Sequence, residues 1–321
     1  KLNLTFAVLG PLPEGFHEVE TLMQAVDLED ELTFTIEPSD KMSIEITCTK
    51  APYVTDVPLD ETNLVAKALR LFAQEHEPAR TLKISVHIEK VIPVSAGLAG
   101  GSSNAAAALV VLNRYYGSRI SRTKLEDMAA ALGSDVPFCI AGGTQVGRNR
   151  GEKLSLAAAI YKMHFVIVKP REVAIATPWI YNQYDQHIKG GKKTVTIKLD
   201  EAVRALHSAD IDLATRNFAN AFEPIVYERF PQLQTLRNRI VELGAWGCYL
   251  TGSGPTLFAL VPHKEAAVAL KKRLVKEQAD GNAPWQGEKP ITLDCWIAES
   301  LDTGARVVEA SGRSLREKET V

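Results

Sequence analysis

The segment Pro93-Val94-Ser95-Ala96-Gly97-Leu98-Ala99-Gly100-Gly101-Ser102-Ser103-Asn104 gathers residues suited to holding an anion, and it leads into four alanines and an apolar run. Its three glycines let backbone N–H groups approach a ligand closely. Its serines and Asn104 stand where a helix should start, with unpaired amides and the positive end of the helix dipole. That combination suits phosphate. The plainer alternative is a glycine-rich turn with Ser102 as a simple N-cap. Three glycines, two serines and a small-residue helix behind them favour the phosphate reading.

A second glycine-rich segment, Thr251-Gly252-Ser253-Gly254-Pro255-Thr256, enters a strand-like run at 257–260. Alone it would be a tight turn; beside the first loop it reads as a second wall of a nucleotide site. Asp135, in Gly133-Ser134-Asp135-Val136-Pro137, is a candidate general base in a turn after a helix end, although an isolated aspartate there would be a capping residue. At the start of the chain, Lys1-Leu2-Asn3-Leu4 alternates like a strand with Lys1 and Asn3 on one face. Lone residues of that kind are usually solvated.

The elements that must position these groups are partly visible. Met42, Ile44 and Ile46 alternate with polar neighbours, as do Ile84, Val86 and Ile88, which predicts half-buried strands. Between them Leu64, Val65, Ala68, Leu69 and Phe72 recur at helical spacing. A helix is expected from Ser102 to about Tyr116, and another from a Thr123-x-x-Glu126 capping box to Gly133. A new unit begins near Lys153, with a strand over 165–168, helices through Leu233, Leu236, Ile240 and Leu243 and over 265–275, and a strand over 257–261 between them. The basic Lys189-Gly190-Gly191-Lys192-Lys193 stretch reads as an exposed loop, because the G-x-x-x-x-G-K-[ST] phosphate motif is not met. After Thr303 the residues turn polar, so a loosely held tail is expected. No internal repeat is evident.

Bulk properties leave small-molecule chemistry open. Of 321 residues, 45% are hydrophobic and 24% charged, with a net charge of −2. This is an ordinary globular composition, long enough for two domains, with no basic footprint for nucleic acid and no polybasic membrane anchor. The four cysteines, Cys48, Cys139, Cys248 and Cys295, form no C-x-x-C pair, which argues against a zinc site or disulfide framework and fits a reducing compartment. No 18-residue apolar run and no charged-then-apolar leader stands in the chain.

The three glycine-containing segments, in this order and spacing, resemble the GHMP superfamily of small-molecule kinases. The likeness extends to Lys1-Leu2-Asn3-Leu4, to Gly15-Phe16-His17-Glu18-Val19-Glu20-Thr21-Leu22, to Asn63-Leu64-Val65, to 147–152 and to Lys169-Pro170. Together these are similar to the branch acting on a cytidine diphosphate-linked methylerythritol in the non-mevalonate isoprenoid route. The resemblance implies an α+β, two-domain fold: a ribosomal-protein-S5-like nucleotide domain over 1–152, a ferredoxin-like domain over 153–300 with the active site in the cleft between them, and a polar tail over 301–321.

It implies ATP with magnesium as the phosphoryl donor, no protein metal site, and transfer to the 2-hydroxyl of that alcohol. Pro93, Gly97, Leu98, Ala99, Gly100, Gly101, Ser102, Ser103 and Asn104 would hold ATP. Asp135 would be the catalytic base and Lys1 its partner. Phe16 and Tyr181 would flank the cytosine and His17 would read its polar edge, with Asn3, Thr177, Gly252, Ser253 and Gly254 also on the substrate side. Phe16, Ala99 and Asn149 depart from the tyrosine, glycine and glycine usual there, so one hydrogen bond at Phe16 is lost while its ring is kept. The implied partners are the two small molecules, with neither nucleic acid nor membrane. A monomer or weak dimer, in a bacterial cytoplasm or a plastid stroma, is expected. The competing readings are a homoserine- or mevalonate-type kinase, against which the aromatic pair and His17 speak, and a nucleotide-binding protein without catalysis, against which Asp135 and Lys1 speak.

Overall fold

The structure is a computed structural model; it describes residues 1–309 except Glu14, 55–56, 77–80, 158, 160, 282 and 287–289, so the last part of the expected tail, 310–321, lies outside the described residues. In chain order the elements are β1 (Leu2–Pro11), β2 (His17–Val26), β3 (Glu31–Pro38), β4 (Ser43–Lys50), α1 (Leu64–His76) and β5 (Leu82–Lys90). Then come α2 (Gly100–Tyr115), α3 (Arg122–Ala130), α4 (Val136–Ala141), β6 (Thr144–Arg148), β7 (Lys153–Leu156) and β8 (His164–Pro170). The rest are α5 (Thr177–Lys189), α6 (Leu199–Ser208), α7 (Ile211–Asn217), β9 (Ala219–Asn220), α8 (Glu223–Arg229), α9 (Pro231–Glu242), β10 (Gly247–Leu250), β11 (Leu257–Val261), α10 (Lys264–Ala279) and β12 (Leu293–Leu301).

These elements group into two compact units, neither of them one continuous length of chain. The first comprises Lys1–Leu28, Ser95–Leu98 and Gly143–Leu301; the second comprises Glu29–Val94, Ala99–Gly142 and the described part of Asp302–Val321.

In the first unit, strands run β10-β11-β8-β12-β2-β1-β9 across one sheet, with β6 branching from β2 and β7 pairing β6. Among the described residues of this sheet, only β1 with β9 is parallel. β11 and β10 are buried along their whole length, the mark of strands covered on both faces. Leu236 and Ile240 of α9 and Leu270 and Leu274 of α10 join Val166, Val168, Leu257 and Ala259 in the core. β12 is absent from the sequence expectation, yet it lies between β8 and β2: Cys295 pairs Val168 and Ser300 pairs Val26.

One buried acid here makes stability depend on pH. Glu223, the first residue of α8, accepts from Leu250 N at 2.9 Å. Desolvation by burial pushes its carboxyl up to about 7 despite that bond and the Arg237 charge. A carboxyl raised above its unfolded value binds its proton more tightly in the native state. Stability is therefore full below about pH 4.5 and falls as pH rises through 7, by on the order of 3 kcal/mol at most. Glu223→Gln, whose amide oxygen still accepts from Leu250, should flatten the melting temperature between pH 5 and 8. Parallel native and variant melting curves over that range would remove this assignment.

In the second unit β5 is central, antiparallel to β3 and parallel to β4. Ile84, Val86 and Ile88 are buried, as are Val65, Ala68, Leu69 and Phe72 of α1 and Ala105, Ala108, Leu109 and Leu112 of α2. The alanines let α2 pack closely, and Phe72 stacks on Tyr116 at 5.9 Å. The helix expected from a Thr123 box begins earlier: Ser121 is the N-cap and accepts from Lys124 N, while Glu126 pairs with Arg122 at 2.9 Å. The start of the tail is also held. Ala305 N donates to Cys139 O at 2.7 Å and Arg306 pairs with Glu29 at 3.2 Å. A side-chain cap decides the first point, and a backbone hydrogen bond with an ion pair the second; composition reports neither.

Candidate active site

The residues singled out from the sequence fall in both units, and each set has its own geometry. In the first, Lys1 Nζ donates to Asn3 Oδ1 at 2.6 Å, and the Lys1 main-chain nitrogen donates to Leu98 O at 3.1 Å. Asn3 is not solvated. It is 2% exposed, its Nδ2 donates to Thr21 Oγ1 at 2.8 Å, and its backbone N donates to Thr251 Oγ1 at 2.9 Å. The carboxamide thus aims the Lys1 ammonium from inside the sheet.

Gly97 packs onto the 251–254 turn. Gly97 (φ +77°) has no room for a Cβ, which would overlap the Thr251 carbonyl oxygen, and a Cβ on Gly252 (φ +56°) would lie 3.1 Å from Gly97 O. Two glycines with positive φ let these backbones approach side to side. Asn220 Nδ2 holds the turn from below, donating to Leu250 O at 3.1 Å and Gly252 O at 2.8 Å. Thr177, at the start of α5, shares a 3.2 Å hydrogen bond with Ser253. The backbone N of Gly254 donates to Thr251 O.

The aromatic group is arranged differently from a simple ring pair. Tyr181 carries His17 against it at 4.7 Å and 30°, and rests edge-on against Phe222 at 5.0 Å. Phe16 is 49% exposed, with the Arg150 guanidinium 4.9 Å over its ring. Sequence reasoning assigned no role to the 147–152 stretch that supplies this arginine.

In the second unit, α2 begins with Ala99 as N-cap at φ 60°, ψ 32°, and no side chain caps it. Ser102 is therefore not the N-cap, and Ser103 Oγ turns back to donate to Gly100 O at 2.8 Å. Gly101 is exposed and Ser102 half-buried, so the first turn presents uncapped backbone amides at the surface of this unit. Pro93 and Gly100 are buried. Asn104 is 4% exposed; with its amide nitrogen turned inward it donates to Gly100 O at 3.1 Å and Asp30 Oδ2 at 2.9 Å.

Behind that turn lies an ion pair that sequence reasoning missed. Lys90 Nζ is 2.5 Å from Asp30 Oδ2, with side chains 3% and 1% exposed, and Asp30 Oδ1 accepts from Val91 N and Ile92 N at 2.8 Å each. Lys90 closes on Gly100, since a Cβ there would fall 2.8 Å from its Nζ. A signal was available: Lys90 occupies the inward position after Ile84, Val86 and Ile88. Removing one member of a fully buried pair strands the other charge, so Lys90→Met should cost about 3–5 kcal/mol. A melting temperature within a degree or two of native would refute this.

Asp135 is half-buried at the N-cap position of α4, where Cys139 N donates to its backbone oxygen at 3.1 Å. Its side chain does not cap the helix, and Pro137 lies within the first turn. Two covalently linked neighbours, Ser134 and Gly133, lead back to α3, so the carboxylate sits on a short connection between helices. Among the described residues no three His, Cys, Asp or Glu side chains gather as a metal site.

Two family domains match the chain, the GHMP kinases N terminal domain over 63–143 and the GHMP kinases C terminal domain over 201–280. A 4-diphosphocytidyl-2-C-methyl-D-erythritol kinase of Synechococcus sp. is 34% identical over 309 residues, covering 95% of this chain and 93% of that one. Another enzyme of that name, from Pelotomaculum thermopropionicum, is 36% identical over 280 residues, covering 87% and 93%. The chain belongs to the 4-diphosphocytidyl-2-C-methyl-D-erythritol kinase family. It has the GHMP kinase fold: a crystal structure of a 4-(cytidine 5'-diphospho)-2C-methyl-D-erythritol kinase superposes with a TM-score of 0.71 at 25% identity, covering 93% of this chain and 96% of that one. As a 4-diphosphocytidyl-2-C-methyl-D-erythritol kinase family member the protein is an ATP-using GHMP kinase.

Proposed function

We propose that the enzyme transfers the terminal phosphoryl group of ATP to the 2-hydroxyl of 4-diphosphocytidyl-2-C-methyl-D-erythritol, in the non-mevalonate route to isoprenoid precursors. The observation that carries this reading is kinship along 95% of the chain with an enzyme named for that substrate. The residues fit a polyphosphate. The uncapped first turn of α2 offers backbone donors and a dipole end at Gly100, Gly101 and Ser102, and Gly97 just before it carries no side chain. Magnesium, arriving on the ATP phosphates, offsets their charge when bound.

Asp135 accepts the proton of the attacking hydroxyl, and Lys1, aimed by Asn3, offsets charge on the transferring group. Most of the acceleration comes from positioning, because phosphoryl transfer has a loose transition state. Tyr181, Phe16 and His17 receive the cytosine. Stacking on an aromatic ring is worth about 1–3 kcal/mol per base, enough to anchor the substrate by its base. No helix among the described residues is long and apolar enough to cross a membrane, and the setting we propose is a bacterial cytoplasm or a plastid stroma.

The test compares turnover with ATP on the cytidine-linked alcohol, homoserine and mevalonate. Preference for the first by several orders of magnitude is the expected result. Comparable or better turnover of either acid would replace this reading with another GHMP kinase activity, and absence of turnover on all three would favour a nucleotide-binding role.

A further inference from the structure

His17 opens β2 opposite Pro11, with a side chain 11% exposed. Its Nε2 lies 2.8 Å from Asp185 Oδ1, and Asp185 is 39% exposed. Asp185 follows Tyr181 by four residues on α5, so the two side chains share one face of the helix. One stacks on the imidazole and the other bonds to its edge. The helix itself is fixed: Tyr184 donates its hydroxyl to Val8 O at 3.0 Å, and Tyr181 and Tyr184 both meet Phe222 edge-on, at 5.0 and 5.8 Å. An imidazole held on its face by one residue and at its nitrogen by another on the same anchored helix is more constrained than packing requires.

We propose that Asp185 is a positioning and specificity residue that fixes the tautomer of His17 for reading an amino-bearing pyrimidine. This rests on the functional reading above, in which the base is cytosine. An ionised carboxylate only accepts, so Nε2 must carry the hydrogen, and in the neutral ring Nδ1 is then an acceptor. An acceptor complements the exocyclic amino group of cytosine and opposes the carbonyl that uracil has in its place. Rejection by an unpaired, like-signed polar edge discriminates more strongly than loss of packing does. Asp185 touches no substrate in this scheme and acts through His17.

The experiment combines kinetics on the full chain with nitrogen NMR of the imidazoles. Asp185→Ala should raise the Michaelis constant for the cytidine-linked alcohol about tenfold, the worth of one hydrogen bond to a charged group, while kcat and the Michaelis constant for ATP stay within about twofold. Its preference for the cytidine-linked over the uridine-linked alcohol should shrink. Asp185→Glu should restore most of the loss. In the His17→Ala background Asp185→Ala should add nothing, as befits a residue acting through another. The NMR spectrum of the native enzyme should show His17 with hydrogen on Nε2 alone, and that of Asp185→Ala a mixture of tautomers. Additive losses in the double variant, an equal rise in the ATP constant, or an unchanged tautomer would overturn the proposal. A native enzyme that ignores the cytidine-linked alcohol would instead defeat the functional reading itself, visible before any variant is made.

Discussion

Asp135→Asn should lower kcat by about 10²–10⁴ while ATP binding, measured by calorimetry, stays within about twofold of native. Asparagine keeps the size and the turn of Asp135 but cannot take up a proton. The local fold gives little reason for a structural loss. The α4 N-cap position uses the Asp135 backbone oxygen, which accepts from Cys139 N in either residue, and the native side chain does not cap the helix. A defect confined to the chemical step is therefore the expected signature. Turnover within about tenfold of native would remove Asp135 as the base. A parallel collapse of ATP affinity would assign it to nucleotide binding instead.

Gly97→Ala should reduce kcat/KM by at least about 100-fold without unfolding the protein. Two effects add at this position. A residue with a Cβ at φ +77° carries about 1–2 kcal/mol of local strain, and the new methyl would overlap the Thr251 carbonyl oxygen, a backbone atom that cannot rotate away. The turn over 251–254 or the Gly97 segment must then shift. Displacement of a positioning element by about 1 Å is enough for a 10²-fold loss. Gly281→Ala is the control: φ there is +69° with open space around the site, so strain arises without any clash. It should lose only the stability that strain costs, about 1–2 kcal/mol, and keep its turnover. Equal activity of the two variants would show that the contact between Gly97 and the 251–254 turn is not needed for catalysis.

The strands and helices that announce themselves by period were legible beforehand. β4, β5, α1, α9 and α10 each carry an apolar repeat on one face, and β11 is apolar at every position. β12 was not, because Glu299 breaks the face of Leu293, Cys295, Ile297 and Leu301 while Trp296 and Ala298 place apolar residues on the other face, so no clean alternation shows, and its place is set by pairing with β8 and β2. Of the candidate site, residues in glycine-rich loops stood out, since only a few backbone conformations and chemistries explain such loops. Their supports did not. Asp30, Lys90, Asn220 and Asp185 are single polar residues whose purpose exists only once distant segments meet: Lys90 and Asp30 are 60 residues apart, and Asp185 is 168 residues from His17. Asn3, Ser103 and Asn104 had the reverse fate. They were singled out for what they could offer a ligand, while in the structure their side chains also hold Lys1, Gly100 and Asp30.

The sheet of the first unit also dictates when that unit can be completed during synthesis. Gln24 Nε2 donates to Leu301 O across 277 residues of chain, and β12 lies between β8 and β2. A ribosome elongating at about 5–20 residues per second needs roughly 14–55 s to deliver the second partner after the first. β6 covers Thr21–Gln24 well before then, so what waits through that interval is the end of β2 at Ala25 and Val26, whereas β3, β4 and β5 of the other unit are delivered together. The nascent chain is thus open to mispairing at the end of β2, and a translational pause before β12 would lengthen that exposure.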